Sequence, residues 1–125
     1  MRIREIMNKA FAVDEDISIR EAAEIMGKKG VGSLILMEKK KVVGIVTERD
    51  ILKNISKAGR KVSTIMSKKV VYIDPNEAIE NAAELMAAHK IRRLPVINKD
   101  KLIGIITATD LLAHSDEIGE SFLFD

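Results

Sequence analysis

The sequence repeats itself after 60 residues, and this repeat limits the possible folds more than any other feature. Residues 22–26 (AAEIM) recur as residues 82–86 (AAELM), and residues 44–47 (GIVT) recur as residues 104–107 (GIIT). Two copies account for nearly the whole 125-residue chain. A domain of about 60 residues buries only about 60% of the surface of its unfolded chain, so one copy alone would be marginally stable. We therefore expect the two copies to pack against each other about a pseudo-twofold axis.

Each copy carries the same order of expected elements. Ser18 in the first copy and Asn76 in the second have the character of helix N-caps, and apolar residues at helical spacing follow each of them. Thr47 and Thr107 occupy the start of a second helix. The expected strands lie at residues 11–13, 34–37 and 42–46 of the first copy and at residues 70–73, 94–97 and 102–106 of the second. The predicted fold class is therefore mixed α/β (α+β), with two tandem β-α-β-β-α repeats.

The repeat also divides the chain into segments. We expect a first repeat at residues 1–57, a linker at 58–61, a second repeat at 62–114 and a C-terminal tail at 115–125. The tail holds two of the three phenylalanines, Phe122 and Phe124, on either side of Leu123. A chain end normally frays, but exposed aromatic side chains favour docking on the core or on a partner subunit. Both outcomes stay open for the tail.

Composition excludes several classes of protein. The chain has no cysteine, which excludes disulfides, zinc–thiolate sites and cysteine nucleophiles. Its net charge of +2 is too small to indicate nucleic-acid binding, which needs a concentrated basic face. His89 and His114 have no carboxylate at metal-ligand spacing, and the chain has no P-loop and no paired base and nucleophile, so we expect neither a metal site nor an enzyme. No apolar stretch approaches the roughly 20 residues that span a bilayer, and the N-terminus lacks a signal-peptide core, so we expect a cytoplasmic protein without a membrane partner.

The most informative motif is Thr-x-x-Asp, which pairs Thr47 with Asp50 and Thr107 with Asp110. A Thr followed three residues later by an acidic residue is a capping box, which satisfies free backbone N–H groups at a helix start. The same geometry suits a ligand, because a helix N-terminus attracts phosphate and a carboxylate can accept two hydrogen bonds from a ribose diol. A glycine three residues before each Thr would let a ligand approach. Duplication in register favours a ligand, but duplication also copies helix caps, so both interpretations stay open.

These features together resemble the cystathionine-β-synthase (CBS) domain. The resemblance rests on the order of an Ile-Met pair, a short strand, an Ala-Ala-Glu-x-Met helix, Leu-Pro-Val-Ile and Gly-Ile-Ile-Thr-x-x-Asp, and it covers residues 3–55 and 62–114. Residues 93–96 (RLPV) are typical of the family, whereas the first copy has SLIL at residues 33–36. The resemblance implies a stand-alone Bateman-type module with two clefts related by pseudo-symmetry.

The resemblance further implies a regulatory ligand, namely AMP, ADP, ATP or an S-adenosyl compound such as S-adenosylmethionine, and no cofactor. In the family, the Thr and Asp of one repeat contact ribose and phosphate, while the first strand and the start of the second strand of the other repeat surround the base. Carried over, site A consists of Ile45, Thr47, Arg49, Asp50, Lys69, Val70, Val71, Ile91 and Arg93. Site B consists of Ile105, Thr107, Thr109, Asp110, Ala10, Phe11, Val31 and Ser33. The first copy has Ser33 where the second has Arg93, so a phosphorylated ligand is expected to prefer site A.

The leading hypothesis for function is a ligand sensor that catalyses no reaction and acts through an unknown protein partner. One alternative is an assembly or dimerisation scaffold that has lost its ligand. Another is a nucleic-acid-binding adaptor, which the near-neutral charge and the few aromatic residues disfavour.

A homodimer is also expected, because each repeat has more apolar helix surface than one small sheet can cover, and the resemblance points the same way. Contiguous apolar patches usually mark an interface. The alternative is that the two repeats bury these stripes within a monomer. On the dimer hypothesis, Ala83→Glu weakens association and leaves the fold intact. The stripes consist of Ala22, Ala23, Ile25, Met26, Ile51, Leu52 and Ile55 in the first copy and of Ala82, Ala83, Leu85, Met86, Ala87, Leu111 and Leu112 in the second.

Overall fold

The computed structural model describes residues 1–118, which form two compact units. The first unit contains Phe11–Val70, and the second contains Met1–Ala10 together with the chain from Val71 onward. These units differ from the sequence repeats, because the start of each repeat packs with the body of the other repeat. The boundaries predicted at residues 57 and 62 refer to the sequence repeats and not to these units, and the division of the chain at these residues stays a prediction. The Phe-Leu-Phe segment at residues 122–124 lies outside the described residues.

The helices and strands follow the order expected from the repeat, except that the strand expected at residues 70–73 is missing, and a short helix is added near each end of the described chain. In chain order they are α1 (Ile3–Ile6), β1 (Ala12–Val13), α2 (Ile19–Lys29), β2 (Ser33–Glu38), β3 (Lys41–Thr47), α3 (Glu48–Lys53), α4 (Ile79–His89), β4 (Arg93–Asn98), β5 (Lys101–Thr107), α5 (Ala108–Ala113) and α6 (Ser115–Ile118). One-turn 3₁₀ helices occupy Ile55–Lys57 and Val62–Thr64. The predicted mixed α and β fold is confirmed. Within residues 1–118, none of the helices has both the length and the apolar character that crossing a bilayer requires.

Each unit has its own sheet. In the first unit, β1 pairs in parallel with β2, and β2 pairs antiparallel with β3. In the second unit, β4 and β5 form an antiparallel pair, and Ile73 makes a parallel bridge to Val96. The strand expected at residues 70–73 is therefore a single bridge, whereas the other expected strands are present.

The hairpin turns of the two sheets are tighter than the sequence indicates. Lys39 and Lys40 alone connect β2 to β3, with φ angles of 51° and 66°. Lys99 and Asp100 connect β4 to β5, with φ angles of 50° and 67°. Two consecutive positive φ values indicate a type I′ turn, whose twist matches that of the flanking strands.

The N-caps of the two long helices differ from each other. Ser18 caps α2 as predicted, and its hydroxyl accepts the backbone N–H of Glu21 at 3.0 Å. The predicted cap at Asn76 is wrong, because Ala78 is the N-cap of α4 and makes no side-chain cap hydrogen bond. Asn76 lies in the preceding turn, where its backbone N–H donates to Oδ1 of Asp74 at 2.8 Å. A turn and a helix cap favour the same residue types, so the sequence alone did not separate them.

Backbone groups from distant segments complete the helix starts. In the first unit, the Ile19 N–H donates to the Arg60 carbonyl at 2.9 Å. In the second unit, the Ile79 N–H donates to the Met1 carbonyl at 3.1 Å. Ile3 of α1 has 0% exposure and packs in the core of the second unit. The first residues of the chain are therefore a structural part of the second unit.

Each unit has a separate apolar core, and these cores contain much of the predicted interface. The first core consists of Ile19, Ala22, Met26, Leu34, Leu36, Val46, Ile51 and Val62. The second consists of Ile3, Ile73, Ile79, Ala82, Ala83, Met86, Leu94, Val96, Ile106 and Leu111. Because Ala83 is only 5% exposed, the expectation that Ala83→Glu would spare the fold is wrong. The large side chains of the stripes that stay exposed are those of Leu52, Ile55 and Leu112, at 72%, 62% and 52%, and the small Ala87 is exposed as well.

Candidate functional site

Both Thr-x-x-Asp motifs form complete capping boxes. At the start of α3, Oδ2 of Asp50 accepts the Thr47 backbone N–H at 2.9 Å and the Thr47 hydroxyl at 3.0 Å, while the Asp50 N–H donates to Oγ1 of Thr47 at 3.3 Å. At the start of α5, Oδ2 of Asp110 accepts the Thr107 N–H at 2.8 Å and its hydroxyl at 2.9 Å, and the return bond measures 3.2 Å. The capping interpretation is therefore confirmed in both copies.

The capping boxes leave part of each carboxylate available. A hydroxyl has one proton to donate, and both Thr hydroxyls donate theirs to aspartate. Each aspartate uses Oδ2 for both of these bonds, so the box itself does not occupy Oδ1 of Asp50 or Asp110. Both aspartates are half-buried. A ligand diol could therefore bind Oδ1 without disturbing the cap, whereas a Thr hydroxyl must release its aspartate before it can donate to phosphate.

The glycines before the motifs face protein atoms. A Cβ on Gly44 would lie 2.3 Å from Sδ of Met66, and a Cβ on Gly104 would lie 2.8 Å from the carbonyl oxygen of Asn8 and 3.0 Å from Sδ of Met7. These atoms belong to the same unit as the glycine that they face. The missing side chain therefore makes room for a chain segment, which corrects the expectation that it would let a ligand approach.

Six of the nine residues predicted for site A lie in the first unit. Beside the Thr47–Asp50 box, Ile45 is buried on β3 and exchanges two backbone hydrogen bonds with Ser67, at 3.0 and 2.9 Å. Arg49 on α3 and Lys69 are exposed, and Val70 is half-buried. The remaining three lie in the second unit, where all are half-buried: Val71, Ile91 and Arg93.

Five of the eight residues predicted for site B lie in the second unit. Beside the Thr107–Asp110 box, Ile105 exchanges hydrogen bonds with Asn8 at 2.9 and 2.8 Å, which mirrors the pairing of the first unit. Thr109 is exposed on α5, and Ala10 is half-buried. The remaining three lie in the first unit, where Ser33 is buried and the other two are half-buried: Phe11, Val31 and Ser33. Where site A has the cations Arg49 and Lys69, site B has Thr109 and Ala10.

The strand register joins residues that were assigned to different sites. Ser33 of predicted site B lies opposite Thr47, and Arg93 of predicted site A lies opposite Thr107. Directly opposite residues project from the same face of a sheet. Ser33 of predicted site B therefore lies beside Thr47 of predicted site A in the first unit, and Arg93 of predicted site A lies beside Thr107 of predicted site B in the second. The division of residues between sites A and B stays a prediction.

The first unit also has a groove that was not predicted from the sequence. The groove has a volume of about 550 Å³ and lies between α2 and α3. Three glycines within six residues could have indicated it, because the second copy has Ala87, Lys90 and Arg92 at the equivalent positions. Its lining consists of Ala23, Met26, Gly27, Gly30, Val31, Gly32, Glu48, Ile51 and Leu52.

Comparison with known sequences identifies both copies as members of one family. The model of the CBS domain matches residues 3–57 and 62–117. The CBS domain-containing protein YhcV of Bacillus subtilis is 38% identical over 106 residues, which cover 82% of this chain and 76% of that protein. Several longer relatives match over only 23% to 36% of their own length.

Solved structures of CBS domain pairs have the same fold. The CBS domain pair of protein MJ0100, in complex with 5′-methylthioadenosine and S-adenosyl-L-methionine, has a TM-score of 0.87 and 27% identity, over 93% of this chain and 96% of that one. The CBS domain protein PAE2072 from Pyrobaculum aerophilum, complexed with AMP, has a TM-score of 0.87 and 28% identity, over 94% of this chain and 98% of that one. With two family matches, two capping boxes and this fold, the chain belongs to the CBS domain family, as a tandem pair of CBS domains.

Proposed function

We propose that this chain is a regulatory module that binds an adenine nucleotide or an S-adenosyl compound and catalyses no reaction itself. The observation that carries the proposal is the duplicated capping box, in which Asp50 and Asp110 each accept the Thr hydroxyl through Oδ2, so that the box does not use Oδ1. The related CBS domain pairs support it, because one is complexed with AMP and another with 5′-methylthioadenosine and S-adenosyl-L-methionine. These ligands share an adenosine group, whose ribose diol suits a carboxylate acceptor.

A thermal-shift screen tests this function. A ligand that binds only the folded state raises the melting temperature by mass action. We expect at least one of adenosine, AMP, ADP, ATP, methylthioadenosine and S-adenosylmethionine to do so, with a micromolar to sub-millimolar Kd, or about −8 to −5 kcal/mol. GTP is the control for a general effect of nucleotides. If no adenine compound changes the melting temperature at millimolar concentration, the ligand-sensing function is contradicted.

The two predicted sites differ in positive charge, and this difference favours a different ligand in each. Site A is predicted to include Arg49, Lys69 and Arg93, whereas site B has Thr109, Ala10 and Ser33 at the equivalent positions. We therefore assign the phosphorylated ligand to site A. Arg93→Ala is expected to weaken AMP or ATP binding far more than adenosine binding, because adenosine has no phosphate. Isothermal titration with both ligands measures the difference, and equal losses would rule out phosphate contact by this side chain.

The completeness of the capping boxes favours a second candidate, an assembly module without a ligand. Thr47 and Asp50 already satisfy each other and the start of α3, so their presence does not require a ligand. Under this function, the ligand screen gives no shift, while self-association of the chain is retained.

The proposal also includes a homodimer that acts through a protein partner. Leu52, Ile55 and Leu112 are large apolar side chains that remain more than half exposed. Leu52 and Leu112 lie at equivalent positions of the two repeats, each two residues after the aspartate of a capping box. An exposed apolar helix face of this kind is typical of a protein interface.

A further inference from the structure

The positive charge of the chain is concentrated in the first unit. Residues 11–70 carry 13 Lys and Arg against 8 Asp and Glu, a net charge of +5, so the rest of the chain carries −3 of the overall +2. Between Asp50 and Asp74 the sequence has six cations and no carboxylate. Residues 111–125, which follow the second capping box, have four carboxylates and no Lys or Arg. The net charge of the whole chain therefore does not show how basic the first unit is.

Part of the basic sequence folds against the start of α2. The Arg20 N–H donates to the Ala58 carbonyl at 2.9 Å, and the Arg60 N–H donates to the Lys57 carbonyl at 2.9 Å. These bonds bring cations from two separate segments to one surface of the first unit. We define the basic face by its four exposed cations, Arg20, Lys57, Arg60 and Lys61.

The fold does not require the cations of the basic face. Arg20 stands in the first turn of α2, where a cation opposes the helix dipole. The second repeat has Glu80 at the equivalent position of α4 and Glu117 at the position of Lys57. The second unit nevertheless keeps the equivalent backbone bond from the start of α4, to the Met1 carbonyl at 3.1 Å. The same backbone arrangement thus forms with the opposite charges, which favours a role of the basic face in binding.

The surroundings of the basic face favour a protein partner over a single-stranded nucleic acid or a bilayer. Phe11 is the single aromatic residue of the first unit and packs against its core, so the basic face has no aromatic platform for base stacking. Among residues 11–70, Leu52 and Ile55 are the two large apolar side chains that stay exposed, which is too little apolar area for insertion into a bilayer surface. Ile55 begins the one-turn helix that ends at Lys57. An acidic segment with an apolar residue would match both the cations and Ile55.

We propose that the basic face binds an acidic segment of a partner protein. Carboxylates of the segment pair with the guanidinium groups of Arg20 and Arg60 and with the two lysines, while an apolar residue packs on Ile55. The inference rests on the proposed protein partner and adds the face that meets it and the charge that it carries. Because all four cations are exposed, salt weakens the contact. The basic face shares no residue with predicted site A or site B.

Fluorescence anisotropy tests the contact with the full chain. The probe is a fluorescein-labelled peptide that has four glutamates on either side of one leucine. We expect a micromolar Kd at about 50 mM NaCl and at least about a ten-fold higher Kd at about 300 mM NaCl, where screening is stronger. The same peptide with glutamine in place of glutamate is the control and should not bind. A failure of the acidic peptide to bind at the lower salt concentration would overturn the inference.

Paired substitutions locate the contact on the chain. Lys57→Gln combined with Arg60→Gln should raise the Kd of the peptide by about five-fold or more, because two of the four cations are lost. Lys28→Gln combined with Lys29→Gln is the matched control, since it removes the same charge from the other end of α2. The control should change the Kd by less than about two-fold. Equal effects of the two pairs would overturn the inference, because the net charge and not the basic face would then govern binding.

Arg20→Gln tests the cation that α2 contributes. It should raise the Kd of the peptide by about three-fold and leave the melting temperature unchanged, because a cation in the first turn gains nothing from the helix dipole. A loss of binding without a loss of stability distinguishes a binding role from a structural one. An unchanged Kd would remove α2 from the contact and overturn the basic face as defined.

Three further measurements exclude other sites and other occupants. Arg93→Ala should bind the peptide as the wild type does, and weaker binding would move the peptide to predicted site A, which the thermal-shift screen tests independently. A chain that ends at Ile118 should bind with the same Kd, whereas a Kd at least about five-fold lower would identify the C-terminal tail as the occupant and overturn the inference. Tighter binding of oligouridylate or of phosphatidylglycerol vesicles than of the peptide would overturn it in favour of that partner.

Discussion

The hairpin turns show how single residues hold a backbone conformation that they disfavour. Lys39, Lys40, Lys99 and Asp100 all have positive φ angles, which cost a non-glycine residue about 1–2 kcal/mol. Type I′ turns prefer Asn-Gly because these residues accept that region most readily. The strands on either side therefore impose the turn, and the turn residues contribute little to its choice.

Lys40→Gly should stabilise the protein by about 0.5–1 kcal/mol, because glycine adopts a φ of 66° without the clash of a Cβ. Lys41→Gly is the matched control, since it removes the same charge from the first residue of β3. It should destabilise by about 0.5–1 kcal/mol, because glycine weakens a strand. Urea denaturation measures both changes. Equal effects of the two substitutions would show that charge, and not φ, determines the result.

Single substitutions in the capping boxes distinguish a loss of helix stability from a loss of ligand binding. Asp50→Ala should cost about 0.5–2 kcal/mol of stability through loss of the cap and weaken the ligand by about 1.5–3 kcal/mol. Glu21→Ala removes a capping-box carboxylate that accepts the Ser18 N–H at 3.2 Å, outside the predicted sites. It should lower stability and leave ligand affinity unchanged. Denaturation and calorimetric titration measure the two quantities. An unchanged affinity in Asp50→Ala would exclude this carboxylate from the ligand site.

The helix α1 shows that an element at the chain end can belong to a core. Ile3 has 0% exposure, and its N–H donates to the Glu77 carbonyl at 3.0 Å. The equivalent segment of the second repeat begins at Val62, which is buried in the first unit and whose N–H donates to the Ile17 carbonyl at 2.7 Å. These contacts join each segment to the chain just before the long helix of its unit, and the bridges of Ser67 to Ile45 and of Asn8 to Ile105 join the same segments to the sheets.

Ile3→Ala should destabilise the protein by about 2–5 kcal/mol, as expected for removal of a buried isoleucine side chain. Ile55→Ala is the control, because Ile55 is 62% exposed and its truncation should cost less than about 0.5 kcal/mol. Thermal and urea denaturation measure both. A small effect of Ile3→Ala would mean that α1 frays in solution and that the second unit is stable without it.

At the scale of the whole molecule, burial within the chain decides which apolar residues remain available for a dimer interface. Leu52→Glu should raise the dimer Kd about ten-fold or more and leave the fold intact, because Leu52 is 72% exposed. Ala83→Glu should instead cost about 3 kcal/mol or more of stability, because the charge would enter the second core. Sedimentation equilibrium and thermal denaturation distinguish these effects. A Leu52→Glu variant that associates as tightly as the wild type would exclude α3 from the interface.

The sequence by itself determined the duplicated β-α-β-β-α pattern, the starts of α2, α3 and α5, and the two Thr-x-x-Asp motifs. These features follow from the spacing of apolar residues and from caps that act over three residues, so they are readable along the chain. The family resemblance depended on the same local patterns, and for that reason the family match confirmed it.

Only the tertiary structure decided which unit each segment joins, what lies opposite Gly44 and Gly104, and which apolar residues remain exposed. Met66 and Asn8 approach the two glycines through pairings between residues far apart in sequence. Ala83 and Leu52 look alike in a helical stripe, yet one is 5% exposed and the other 72%. Burial depends on the surfaces that meet in three dimensions, whereas helical spacing shows only that a face is apolar.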